Sequence, residues 1–154
     1  MTTLLENELV LTSPIKQMEY AANNSTFEIL AQGTYLGFQF VIVNYGWHPC
    51  SYVAAPKGHP CYEVSYDEWE KMPDCHGDVT YSEHGYIRNN CSYISEEFWV
   101  LGWDYGHAGD FAGYYIGNNY FEASHHKWTT AELLKEVKEV ITQLDLMNYK
   151  RAYE

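Results

Sequence analysis

Positive charge is scarce in this chain. Nine lysines and arginines stand against 21 aspartates and glutamates, for a net charge of -12. Binding to a nucleic-acid duplex needs a field of cations to neutralise phosphates, so that function is argued against. A small phosphorylated ligand is not, because a few local donors suffice: Lys57, Arg88, histidines or backbone amides. Cysteine is also sparse. The four cysteines, Cys50, Cys61, Cys75 and Cys91, form no C-x-x-C pair, so reduced thiols are expected in place of a disulfide framework or a zinc finger. The repeated His-Pro-Cys at residues 48–50 and 59–61 lacks the four-ligand spacing that zinc requires. No stretch approaches the roughly 18 consecutive apolar residues of a membrane span. The opening MTTLLENELVLTSP has no basic segment followed by an apolar run and a cleavage site, so no signal peptide, no membrane partner and a cytoplasmic location are expected. Also missing are H-E-x-x-H, a glycine-rich phosphate loop, a dinucleotide fingerprint, and the glutamate with paired cysteines of nucleotide deaminases.

What is present is aromatic and apolar. With 154 residues, 46% of them apolar, and with 15 tyrosines and five tryptophans, the chain reads as a single domain, 1–154, with a real core. Ser13-Pro14 predicts a helix start leading into residues 15–21. Residues 27–30 and 35–45 read as strands, with Gly33 and Gly37 marking a turn and a bulge, and residues 50–56 as the strand returning from a hairpin. Residues 66–72 predict a short polar turn or helix carrying one buried aromatic and ended by Pro73. In residues 74–83, His76, Asp78, Thr80 and Ser82 alternate with Gly77, Val79 and Tyr81, which predicts a strand. A polar loop over 83–97 would return to the apolar strand beginning at Phe98, and that register sets His76 opposite Asp104. Residues 111–128 read as a loop or lid. Thr129 with Glu132 is a capping box, and Leu133, Leu134, Val137, Val140, Ile141, Leu144 and Met147 form an apolar stripe opposite Glu136, Lys138 and Glu139, predicting a helix over 130–147. The fold class expected is α+β: a mainly antiparallel sheet with a C-terminal amphipathic helix packed on one face.

The densest chemistry follows the apolar strand. In FWVLGWDYGHAGD, residues 98–110, Asp104, His107 and Asp110 recur every third position, and Gly106 and Gly109 allow turns that bring them together at the strand's end. With His76 and Asp78 they offer two imidazoles and three carboxylates. Such a set can hold manganese, iron or zinc and activate water on a phosphoester, so a metal-dependent phosphoesterase is one reading. Binding without turnover is another. Tyrosines 52, 62, 81, 105, 114 and 115 can stack nucleobases, His59, Thr80 and His107 can meet phosphates, and Asp104 or Asp110 can accept from a base edge. A structural or protein-binding role is the third.

Four strings carry a resemblance: YVAAPKGHPCYEVSYDE, HGDVTYSE, WVLGWDYGHAGD and the helix ending EVITQL. Together they are similar to a family of small phage proteins patterned as Y-V-x-x-P-x-G-H-P, H-G-G-x-T-Y and W-x-G-F-D-C-x-H-x-G-D before a C-terminal amphipathic helix. The likeness spans about residues 52–144. It extends to the phage sponge proteins that sequester cyclic nucleotide signals of bacterial anti-phage defence, the anti-CBASS sponges. That resemblance implies immune evasion in the host cytoplasm by a homo-oligomer, a dimer or tetramer. It also implies that a cyclic dinucleotide such as 3′,3′-cGAMP is bound without cleavage and without a cofactor or metal. Carried over by position, the binding residues are His59, His76, Thr80, Tyr81, Asp104, His107 and Asp110, with Lys57 as the nearby cation; Tyr52 joins them as a stacking residue. The chain departs from the pattern at Asp78, where a second glycine is usual, and at Tyr105, where a cysteine is.

Overall fold

The computed structural model describes residues 8–20, 27–111 and 125–152. They form one six-stranded antiparallel sheet with a helix against one face, the α+β class expected. The strands are β1 (Leu9–Leu11), β2 (Glu28–Tyr35), β3 (Phe38–Asn44), β4 (Pro49–Ala55), β5 (Tyr81–Arg88) and β6 (Cys91–Asp104), and the helix α1 is Thr130–Ala152. Their order across the sheet is β1-β2-β3-β4-β6-β5, so β4 pairs with β6 and β5 lies outermost. No helix among the described residues is long and apolar enough to cross a membrane.

Local sequence explains the turns. Leu36 and Gly37 both have positive φ and join β2 to β3 in a two-residue connection, and the mirror-image turns that suit strand twist need that conformation. The turn therefore falls at Leu36 and Gly37 and not at Gly33. Gly33 instead lies inside β2 where β1 crosses: a Cβ there would stand 1.9 Å from the carbonyl oxygen of Val10. Asn89 and Asn90, again with positive φ, close β5 onto β6. Residues 83–97 are thus mostly strand. Their exposed polar positions had masked a sheet face carried by Tyr86 and Ile94, both buried. Gly85, at φ 77, and the register shifts around Tyr86 bend this hairpin, so that its tip lies over the second sheet face. There Gln39 Nε2 donates to Tyr93 O at 3.3 Å and the Phe27 and Tyr93 rings meet at 5.6 Å.

Two segments differ from expectation. Residues 14–20 form no helix; lacking an apolar stripe, they run as a strap, with Lys16 N donating to Leu30 O and the Thr130 hydroxyl donating to Lys16 O. Residues 74–80 form no strand, because Gly77 and Asp78 both adopt positive φ, which breaks an extended ladder. The turn at 66–72 is present as a 3-10 helix, Trp69–Lys71, but Trp69 is 74% exposed and not buried. Of the lid expected over 111–128, residues 112–124 lie outside the described residues.

Burial follows the two faces. Phe40, Ile42, Val53, Leu101, Trp103 and Tyr105 pack against Leu133, Val137, Val140, Ile141 and Leu144 of α1. On the other face Val41, Val43, Tyr52, Ala54 and Val100 pack under Tyr86 and Ile94. The capping box forms as its sequence requires, Thr129 N donating to Glu132 Oε1 at 2.9 Å and Glu132 N to the Thr129 hydroxyl at 3.3 Å.

Candidate functional site

The end of β6 builds the site by alternation. Trp103 and Tyr105 point toward α1 and are buried, while Asp104, between them, belongs to the opposite face and pairs across the ladder with Cys50. The chain then turns back, Asp110 N donating to His107 O, with Gly109 at φ 90. This drops the Asp110 carboxylate, only 6% exposed, into the middle of three donors. It accepts from His76 Nε2 at 2.7 Å, from His107 N at 3.0 Å and from Trp128 Nε1 at 2.8 Å. A buried carboxylate is tolerated only with such compensation.

His76 comes from a turn in which Asp78 N donates to Cys75 O, with Gly77 at the third position, where positive φ favours glycine. Its ring lies parallel to Tyr105, centroids 5.0 Å apart and planes at 5°, and 4.9 Å from the Trp128 ring. Nε2 is the donor to the Asp110 carboxylate, and among the described residues no group hydrogen-bonds to Nδ1. His107 packs its ring on Gly77, where a Cβ would stand 2.4 Å from Nε2. The same Nε2 is 2.5 Å from Asp104 Oδ1, yet neither atom makes a properly directed hydrogen bond. The contact is close but off line. The two imidazoles, 27% and 37% exposed at their side chains, stand 5.8 Å apart.

Behind them Glu136 of α1 collects three more donors. Oε1 accepts from Trp103 Nε1 at 2.8 Å and from the Tyr105 hydroxyl, and Oε2 from His76 N at 3.2 Å. Burial, then the Glu136 charge, pushes the Tyr105 hydroxyl far above its ordinary range. Burial, then Asp104, likewise raises the Cys50 thiol, so Cys50 is no ready nucleophile. Among the described residues, no three His, Cys, Asp or Glu side chains gather as a metal-holding group.

No family model, curated protein or solved structure matches the chain.

The structure brings together four of the residues singled out from sequence, His76, Asp104, His107 and Asp110, though not through the expected pairing of His76 with Asp104. His76 meets Asp110 and His107 meets Asp104. Thr80 is exposed on the same sheet edge, its N–H bonded to Gly102 O. The others lie elsewhere. Lys57 and His59 follow β4 at its opposite end, five residue pairs along the ladder from Asp104, a strand rise of roughly 17 Å. His59 is 4% exposed and held at both nitrogens, by Leu144 O at 2.8 Å and Cys61 N at 2.9 Å; it packs a core. Tyr52 is buried on the second face, stacked on Tyr86 at 4.0 Å and edge-on to Tyr81 at 5.3 Å. Its ring is covered and offers no stacking platform, and Tyr81, whose hydroxyl donates to Gly85 O, belongs to the same layer.

Trp103, Trp128 and Glu136 escaped the sequence reading as site residues, and Tyr105, expected as a ring for nucleobases, is buried. Glu136 left a signal nonetheless. It lies three residues after Leu133 and four before Val140, so helical spacing places it at the margin of the buried stripe.

Proposed function

We propose that the mouth formed by His76, Asp104, His107 and Asp110 binds a small nucleotide of the cyclic dinucleotide class, 3′,3′-cGAMP being the type ligand, and holds it without cleaving it. In this reading the protein is a phage immune-evasion factor working in the host cytoplasm as a homo-oligomer. The observation that carries it is the meeting of two partly exposed imidazoles and the Asp104 carboxylate at one strand end, beside the Trp128 ring. Imidazole and backbone N–H groups suit phosphate oxygens, Asp104 suits the amino edge of a purine, and an indole suits a base face. Asp110 has its oxygens committed to three donors. It therefore serves to fix the mouth, which favours retention over turnover.

Calorimetry against a panel of cyclic dinucleotides tests this directly. One of them is expected to bind at micromolar concentration or tighter and to be recovered unchanged after denaturation. His107→Ala is expected to lose at least about tenfold in affinity while its melting temperature stays near that of the parent. Silence across the whole panel removes the proposal, and recovery of a hydrolysed product replaces it with a metal-dependent phosphoesterase, which metal analysis of the purified protein would then support.

A further inference from the structure

The second sheet face carries a groove at the end away from the mouth. Alternation along β2 and β3 sets Gln32, Thr34 and Gln39 on that face: Gln32 pairs with Val41, which is buried there, and Thr34 pairs with Gln39. Thr12, on the strap beside β2, donates its hydroxyl to Gln32 O at 3.4 Å. Facing these polar side chains are Ala54, Pro56 and Phe98, and together they line a volume of about 250 Å³. That is below the roughly 300 Å³ at which drug-sized sites begin. Ala54 lies toward one end of the β4–β6 ladder, and Cys50, beside the mouth, at the other.

The two walls differ in chemistry. Gln39 Nε2 is committed to Tyr93 O at 3.3 Å, which fixes the amide and leaves Oε1 to accept. The side chains of Gln32 and Thr34, both half-buried, make no hydrogen bond among the described residues. Half-buried polar groups without an internal partner are served by water or by a ligand. The opposite wall is apolar. Phe98, also half-buried, packs against the second core but stacks on no other ring among the described residues. Among those residues no charged side chain lines the groove, although charged residues make up 19% of the chain. An ion entering it would lose water without meeting a counter-charge, so the groove suits a neutral guest.

A pyranose ring is divided in the same way, with hydroxyls round its rim and C–H bonds on its face. Carboxamides and hydroxyls together donate and accept as the sugar hydroxyls do, and an aromatic ring packs against the C–H face by dispersion. We propose that this groove is a binding site, separate from the mouth at the end of β6, for one neutral pyranose ring, the type ligand being a hexose residue of a saccharide. Gln32, Thr34, Gln39 and Thr12 take the hydroxyls, and Phe98 takes the ring face. Nothing in the argument depends on the mouth holding a nucleotide.

The test is titration of the full, isotope-labelled chain with the methyl glycosides of glucose, galactose, mannose and N-acetylglucosamine, followed by amide chemical shifts up to about 50 mM, the range in which a few neutral bonds and one ring hold a ligand. At least one glycoside is expected to shift the signals of Gln32, Thr34 and Gln39 with a millimolar dissociation constant. Gln32→Ala and Thr34→Val are each expected to weaken it about threefold, the worth of one neutral hydrogen bond, with melting temperatures near that of the parent. Phe98→Leu, which keeps an apolar side chain and removes the ring, is expected to weaken it at least about threefold. His107→Ala is expected to bind as the parent does, so the groove stands or falls apart from the mouth. Should Phe98→Leu fail to fold, the Gln32 and Thr34 variants carry the test alone. Silence with every glycoside overturns the proposal. So does binding that Gln32→Ala and Thr34→Val leave unchanged. Adenosine shifting the same signals while the glycosides stay silent assigns the groove to a nucleobase and also overturns it.

Discussion

Single side chains decide how rigid the mouth is, and Glu136 matters most among them. It accepts from an indole, a phenol and the backbone N–H of His76, so removing it strands several donors at once. Glu136→Ala is expected to cost about 1–3 kcal/mol in urea unfolding, the range for a buried donor left unsatisfied. It should also weaken ligand retention by loosening the turn that carries His76. Tyr20 gives a pH test. Burial raises its hydroxyl to about 12, a rise that its bond to Trp128 O only partly offsets and that Asp110 and Glu132 increase. A raised folded pKa means the neutral phenol is favoured by folding. Its contribution is therefore complete below the ordinary value near 10 and is lost as pH climbs from there to about 12. Denaturation midpoints measured between those limits are expected to fall, and Tyr20→Phe to make the fall shallower. At this scale the sequence showed the Asp-His-Asp spacing because three residues and two glycines are a local pattern. It did not show Trp128, whose partner Asp110 is remote enough that only the folded chain pairs them.

The elements were legible wherever one periodicity ruled them. The apolar stripe and capping box predicted α1, and the apolar runs predicted β3, β4 and the second half of β6. Prediction failed where a strand carries little apolar surface, as in β5 and the first half of β6, since among the large side chains of this bent hairpin only Tyr86 and Ile94 are fully buried and many others are exposed. It failed again at Gly33, whose role is set by a neighbouring strand and not by its own turn. Gly33→Ala is expected to push β1 off the sheet, because the new methyl would meet the Val10 carbonyl. A cost above about 1 kcal/mol follows from the glycine-favouring backbone alone, with hydrogen-exchange protection lost at residues 9–11 and retained in β3 and β4.

Charge acts on the molecule as a whole. At -12 the protein repels an anionic ligand before any contact forms, and the mouth adds Asp104 and Asp110 to that field. Association of a cyclic dinucleotide is therefore expected to speed up severalfold as ionic strength rises from about 20 to about 200 mM, as screening shortens the reach of repulsion; stopped-flow mixing would read the sign directly. The strand order has a consequence for how the chain comes to be folded. β2, β3 and β4 form one run of short-range hairpins, and β5 with β6 forms another, each closed by connections of a few residues. The two runs join as one ladder through β4 and β6, across the long stretch 56–80. Closing that distance carries most of the entropic penalty, so refolding should show quick local zipping followed by a slower docking of two halves. A nick placed within 56–80 should leave pieces able to find each other again.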